Sequence, residues 1–244
     1  MGAKLQDKVA VITGGGGGLG LGIALAYAGE GARVVLVGRD AEKLRQAKAG
    51  VEKAGGTCAV VAADLSSAEG ATGAFEQAEE AFGSLDILVN SAGTFIWRPF
   101  LELTSDDWEN TLGSNLSAAF YATQAFARAV TARERQGAVI NVSSIHGVVG
   151  DGGVVPHCAS KFGLLGLTEA SAEALRGMGI RVNCLSPGAI EPGSPTTVSE
   201  SLKEKVTQGE VARLAVFLGS EDSGNLTGTN LNAFGITRPV IASK

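Results

Sequence analysis

The chain has 244 residues, a formal net charge of −5, 45% hydrophobic and 18% charged residues, and no run of Lys and Arg. This balance excludes a disordered chain and speaks against a nucleic-acid or anionic-membrane partner. Cys58, Cys158 and Cys184 lack metal-type spacing, and no uncharged apolar span approaches the roughly 18 residues a membrane crossing needs. A cytoplasmic protein folded as one domain over residues 1–244 is expected, with no metal site.

In chain order, a strand over residues 9–13 is followed by a helix over 19–30, then strand 33–37, helix 40–54, strand 58–62, helix 67–82 and strand 85–89. A long helix over 105–132 precedes strand 138–142, helix 156–176, strand 181–185, helix 210–218 and a last strand over 230–233. Asp40 and Ser67 suit N-caps, and Pro156 suits a first helical turn. The strands are apolar on both faces, as in a parallel sheet covered by helices on each side. The alternation predicts a single-domain, doubly wound α/β fold of the Rossmann type, with seven parallel strands and ligands at their carboxyl ends. Residues 187–197 hold three of the six prolines in a Gly, Ser and Thr setting and read as a loop beside the site.

The first strand runs into Thr13 and then five glycines, Gly14 to Gly18, before Leu19 and Gly20 open a helix. Glycines let a backbone approach a pyrophosphate, and the positive helix end with its free N–H groups complements the charge. At the tip of the second strand, where an acid would bind the 2′-hydroxyl of NAD, the chain has Gly38 and then Arg39, which can pair with a 2′-phosphate. NADP(H) is therefore favoured over NAD(H), with nearby Asp40 as an opposing charge.

Beyond this point the residues resemble the short-chain dehydrogenase/reductase family over essentially the whole chain, and its 3-oxoacyl-carrier-protein reductase-like members in particular. The resemblance implies cofactor contacts at Gly14, Gly18, Leu19 and Gly20, at Asp64 and Leu65 after the third strand, and at Asn90, Ala92 and Gly93 of the Asn-Ser-Ala-Gly turn. It implies further cofactor contacts at Lys161, Pro187, Gly188 and Ile190, and an active site of Asn115, Ser144, Lys161 and the residue at position 157. In such enzymes hydride passes between nicotinamide and a carbonyl or alcohol carbon while a tyrosine exchanges a proton with the oxygen. Ser144 would bond that oxygen, Lys161 would bind the ribose and lower the acid's pKa, and Asn115 would hold a relay water.

Three positions depart from the family pattern. Where the tyrosine is expected, four residues before Lys161, the chain has His157. Imidazole is shorter and titrates near 6.5 rather than about 10. Lys161 and the helix N-terminus should hold it neutral, a poor proton donor but a competent base for alcohol oxidation. His146, two residues after Ser144, falls near the same pocket as a further titrating group or as a loop histidine without a role. Pro192 replaces the threonine expected to bind the nicotinamide amide, a task left to the Ile190 backbone, Ser194 or Thr196. The lid over 188–209 is shorter than the family's by roughly a turn or two of helix, which implies an open pocket and a bulky or carrier-borne substrate.

These features favour an NADP(H)-dependent oxidoreductase acting on a small-molecule carbonyl or secondary alcohol. A cofactor-binding regulatory subunit without redox activity, and a non-redox dehydratase, isomerase or cyclase, are the alternatives. The resemblance also implies a homodimer or homotetramer paired through helices 105–132 and 156–176. Ala118, Ala119, Ala122, Ala170 and Ala174 would allow close packing there, between subunits or against the sheet.

Overall fold

A computed structural model describes residues 3–190 and 206–235. Seven parallel strands, β1 (Val9–Thr13), β2 (Arg33–Gly38), β3 (Thr57–Ala62), β4 (Ile87–Asn90), β5 (Gly137–Val142), β6 (Ile180–Pro187) and β7 (Asn230–Ala233), form one sheet in the order β3-β2-β1-β4-β5-β6-β7. All five residues of β1 are buried because helices cover both faces. Ala10 and Ile12 enter one core, whereas Val9 and Val11 enter the other. The first core packs against α1 (Gly18–Gly29), α2 (Ala41–Lys53) and α7 (Gln208–Gly219). The second packs against α3 (Ala68–Phe82), α5 (Ala118–Ala132) and α6 (Val155–Leu175). The strand order reverses between β1 and β4, whose ends meet at Thr13 opposite Asn90, and a crevice opens there.

The expected caps are present. Asp40 accepts from the backbone N–H groups of Glu42 and Lys43, Ser67 accepts from that of Gly70, and a proline stands in the first turn of α6. The sequence reading missed a capping box at α7, in which Thr207 and Glu210 each satisfy the other's backbone N–H, so that helix starts at Gln208.

The expected continuous helix over 105–132 is corrected. α4 (Ser105–Leu112) ends in a π-helical stretch, Gly113–Ser117, before α5 begins. Tertiary bonds hold the distortion: the Thr94 N–H donates to Asn115 Oδ1 at 2.6 Å, Asn115 Nδ2 donates to the Thr94 carbonyl at 3.0 Å, and Ser114 Oγ lies 2.9 Å from Thr94 Oγ1. Helical periodicity carries no signal for such an insertion.

Of the small residues considered for subunit packing, Ala118, Ala119 and Ala122 are buried within the chain, and only Ala170 and Ala174 are exposed. Most of the expected lid lies outside the described residues, including Pro192, Ser194 and Thr196. Its two ends meet in a parallel bridge between Ile190 and Val206, with the Val206 N–H donating to the Ala189 carbonyl at 2.9 Å. No described helix is long and apolar enough to cross a membrane.

Candidate active site

A cleft of about 670 Å³ lies over the carboxyl ends of β1 to β4, bordered by the glycine loop, Arg39, Asp64, Leu65, Ala92 and Gly93. Its glycines divide by role. A Cβ on Gly20 would stand 2.4 Å from the Gly14 carbonyl oxygen, and one on Gly14, at φ +67°, would stand 2.8 Å from Ala92 Cα. These two let the chain fold back on itself. Gly17 and Gly18 have nothing within 4 Å of where a Cβ would be, so their backbone is bare toward the cleft at the N-terminus of α1. Thr13 Oγ1 accepts from the N–H groups of Ser91 and Ala92 at 3.1 and 3.0 Å, which ties the loop to the Asn-Ser-Ala-Gly turn.

At the outer end, Arg39 is joined by Lys43, in the first turn of α2 and also lining the cleft. Sequence reading found the arginine and missed the lysine, although i to i+4 spacing from a strand tip into a helix was signal enough. Asp40 also lines the cleft, and its carboxylate caps α2. Its carboxylate accepts the Lys43 backbone N–H, the largest cause of its lowered pKa, and its second oxygen lies 3.6 Å from Lys43 Nζ. Asp64 is held below the usual carboxylate range chiefly by the Ser66 backbone N–H, 3.0 Å away.

Asn90 is buried beneath the cleft and does not border it. Its amide donates to Asn141 Oδ1 at 2.8 Å and to Thr123 Oγ1 at 3.1 Å, joining β4 to β5 and α5. Pro187 pairs with Ala233, and the Gly188 N–H donates to the Ala233 carbonyl at 2.8 Å, so the end of β6 is held by β7.

The inner end of the cleft stops at Thr94 and Ser114, and behind them sits a polar cluster. His157 Nδ1 lies 3.3 Å from the Thr94 carbonyl and 3.4 Å from Asn115 Nδ2. Asn115 Nδ2 already has acceptors in that carbonyl and in Ser160 Oγ, both at 3.0 Å. A carbonyl only accepts, so the network assigns the proton of the neutral ring to Nδ1 and leaves Nε2 with the lone pair. Lys161 Nζ donates to the Val142 carbonyl at 2.8 Å, and Ser143 Oγ donates to the Lys161 carbonyl at 2.9 Å. These bonds seat α6 on the end of β5, where Ser144 opens the turn carrying His146. Ser144 Oγ accepts the His146 N–H at 3.2 Å, which leaves its own O–H to donate. The rings of His146 and His157 meet edge to face with centroids 5.6 Å apart, and Phe95 packs on both at 6.2 and 5.0 Å. Phe95 and Trp97 are exposed beside them.

The short chain dehydrogenase family model matches residues 8–204. The chain belongs to the short-chain dehydrogenase family. It is 34% identical to human (3R)-3-hydroxyacyl-CoA dehydrogenase, over 95% of this chain and 96% of that protein. It is 33% identical to the Aquifex aeolicus 3-oxoacyl-(acyl-carrier-protein) reductase, over 96% of this chain and 99% of that one. Among solved structures, NAD+-bound xylitol dehydrogenase superposes with a TM-score of 0.88 at 28% identity, covering 94% of this chain and 98% of that one. This short-chain dehydrogenase is thus a member of an oxidoreductase family whose solved relatives include one carrying a nicotinamide cofactor.

The electrostatics of its inner pocket are set first by burial. Desolvation lowers His157 to about 4, with the Lys161 charge as the second cause, whereas sequence reasoning had named only Lys161 and the helix end. Lys161 is itself lowered to about 8 by burial. His146 is lowered by burial against an opposing pull from Asp151. The three cysteines are free and buried, and among the described residues no group of three His, Cys, Asp or Glu side chains is placed to hold a metal ion.

Proposed function

We propose that this short-chain dehydrogenase oxidises a secondary alcohol with NADP+, with His157 as the general base. The observation that carries this reading is the Nδ1 bond of a buried neutral imidazole to the Thr94 carbonyl, because it leaves the Nε2 lone pair free to take a proton. A tyrosine in the same place would carry a proton to donate. Neutral imidazole is better matched to the oxidative direction.

The cleft fits a nicotinamide dinucleotide. Gly17 and Gly18 leave bare backbone at a helix N-terminus for the pyrophosphate, and Arg39 with Lys43 offers two cations for a 2′-phosphate while Asp40 is occupied as a cap. When bound, the nicotinamide supplies the hydride acceptor. In this reading the Ser144 O–H donates to the alcohol oxygen and holds it toward His157 Nε2. Lys161 bonds the ribose and supplies positive charge beneath the site, and Asn115 fixes the Thr94 carbonyl that orients the imidazole. In this reading Leu65, Ala92 and Gly93, which border the cleft, serve the adenosine and ribose, and Pro187, Gly188 and Ile190 serve the nicotinamide.

Phe95, Trp97 and Phe100 are 41%, 55% and 65% exposed on the segment that enters the pocket, which supports a bulky apolar or acyl-bearing alcohol over a polyol. Exposed Phe120 on α5 and Phe162, Ala170 and Ala174 on α6 support pairing of these helices with a second copy. Turnover of a 3-hydroxyacyl thioester and of xylitol with NADP+ and NAD+ tests the assignment. NADP+-dependent oxidation of the thioester is expected. Tight NADPH binding with no oxidation of either alcohol or reduction of the matching ketone would overturn it in favour of a cofactor-binding regulatory subunit.

A further inference from the structure

Two groups stand within reach of His157 Nδ1, one of each kind. The Thr94 carbonyl, 3.3 Å away, can only accept, and the Asn115 amide nitrogen, 3.4 Å away, can only donate. Either neutral tautomer of the ring would therefore find a partner at Nδ1. Which one forms depends on whether Asn115 has a hydrogen to spare, and Ser160, to which the reading above gives no task, decides that.

Each bond in that decision has a fixed direction. The Asn115 amide is locked against a flip, because its Oδ1 accepts the Thr94 N–H at 2.6 Å and the Ser114 hydroxyl at 2.9 Å. The two hydrogens on Nδ2 go to the Thr94 carbonyl and to Ser160 Oγ, both at 3.0 Å. Ser160 accepts there because its own proton is committed to the His157 carbonyl, one turn back along α6, at 2.8 Å. The residue is fully buried, so bulk water does not compete for either bond. With both Asn115 hydrogens spent, Nδ1 is left with an acceptor and carries the proton.

We propose that Ser160 is a positioning residue that selects the Nδ1–H tautomer of His157 and so keeps Nε2 able to take the proton of an alcohol. It acts through Asn115 and does not itself meet the alcohol. In the oxidation the alcohol O–H proton passes to Nε2 while the C–H hydrogen leaves as hydride to the nicotinamide. A ring already protonated at Nε2 has no lone pair there to receive that proton. Without the Ser160 hydroxyl the second Asn115 hydrogen is released to Nδ1, and the Nε2–H tautomer gains what the Nδ1–H tautomer loses.

This inference rests on His157 as the base, and its test separates the two. The chain has only two histidines, so the ring-nitrogen NMR signals of His157 can be assigned in the isotopically labelled, cofactor-free protein at neutral pH, with His157→Phe identifying them by their loss. In the unmodified protein Nδ1 should resonate as a protonated nitrogen and Nε2 as an unprotonated one. Ser160→Ala should move the two signals toward each other and reduce alcohol oxidation about threefold to tenfold, the effect of exchanging one hydrogen bond, with the rate following the Nδ1–H fraction that remains. Ser160→Thr, which keeps the hydroxyl, should restore both. Ring nitrogens unmoved by Ser160→Ala would overturn the proposal whatever happens to the rate, and so would a protonated Nε2 in the unmodified protein. A shifted tautomer with unchanged oxidation would overturn it as well, and His157→Phe then separates the causes. Loss of turnover in that variant leaves the base assignment standing, whereas full turnover removes the base and the role of Ser160 with it.

Discussion

The two ends of the cleft are built on different principles. At the dinucleotide end the backbone does the work: Gly14 and Gly20 close the loop on itself because no Cβ fits there, and Gly17 and Gly18 face open space. Substituting side chains elsewhere leaves such a cradle intact. At the reacting end the work falls on a few buried side chains, and His157, Asn115, Ser160 and Lys161 are defined by bonds to one another and to the carbonyls of Thr94 and Val142. A backbone cradle tolerates change around it, whereas a buried polar network reacts to any member's loss.

That contrast is broken most sharply at His157. His157→Phe is expected to reduce turnover by roughly 10²–10⁴-fold while NADPH binding, read by fluorescence, stays near that of the unmodified enzyme. Loss of both together would mean that the two ends are not separable. His157→Tyr should restore a proton donor, and ketone reduction should then rise relative to alcohol oxidation.

Next in size is an effect of acid on stability. The folded-state pKa of His157 is lowered to about 4, against about 6.5 in the unfolded chain. Between those values the unfolded state binds a proton that the folded state does not. Stability is therefore complete above about pH 6.5 and is lost as the pH falls toward 4, by up to about 3 kcal/mol from this ring. Urea midpoints at pH 7 and pH 4.5 should move further apart for the unmodified protein than for His157→Phe. Equal displacement in both would mean that the ring is not held neutral by burial. Turnover should likewise be flat from about pH 6 to the start of Lys161 deprotonation near 8.

The outer end sharpens the comparison from the other side. Arg39→Ala should weaken NADPH by about 10- to 100-fold and NADH much less, the range of a charge-assisted bond of roughly 1.5–3 kcal/mol, and Lys43→Ala should act in the same direction. Equal losses for both cofactors would remove the 2′-phosphate from the assignment. The smallest effect is expected far from either end, where Thr207→Ala removes one half of the α7 capping box and should cost about 1 kcal/mol in thermal or urea unfolding with cofactor binding retained.

Much of this was legible in the chain itself. The order of strands and helices, the glycine loop after β1, Arg39 at the tip of β2 and the spacing from His157 to Lys161 are local patterns, written in hydrophobic periodicity, glycine clusters and fixed helical offsets. Nearest-neighbour sterics decide them, so residues close in sequence suffice. The π-helical turn at Asn115 and the depth of Asn90 depend on partners elsewhere in the fold.

Above all, sequence placed two histidines and one lysine near one another, and only tertiary structure decided their charge. How far burial lowers His157, which of its nitrogens keeps the proton and which histidine faces Asp151 are set by desolvation and by bonds to the Thr94 carbonyl and Asn115. Those quantities come from the packing of β5, α6 and the segment after β4 against one another, and no window of sequence contains them.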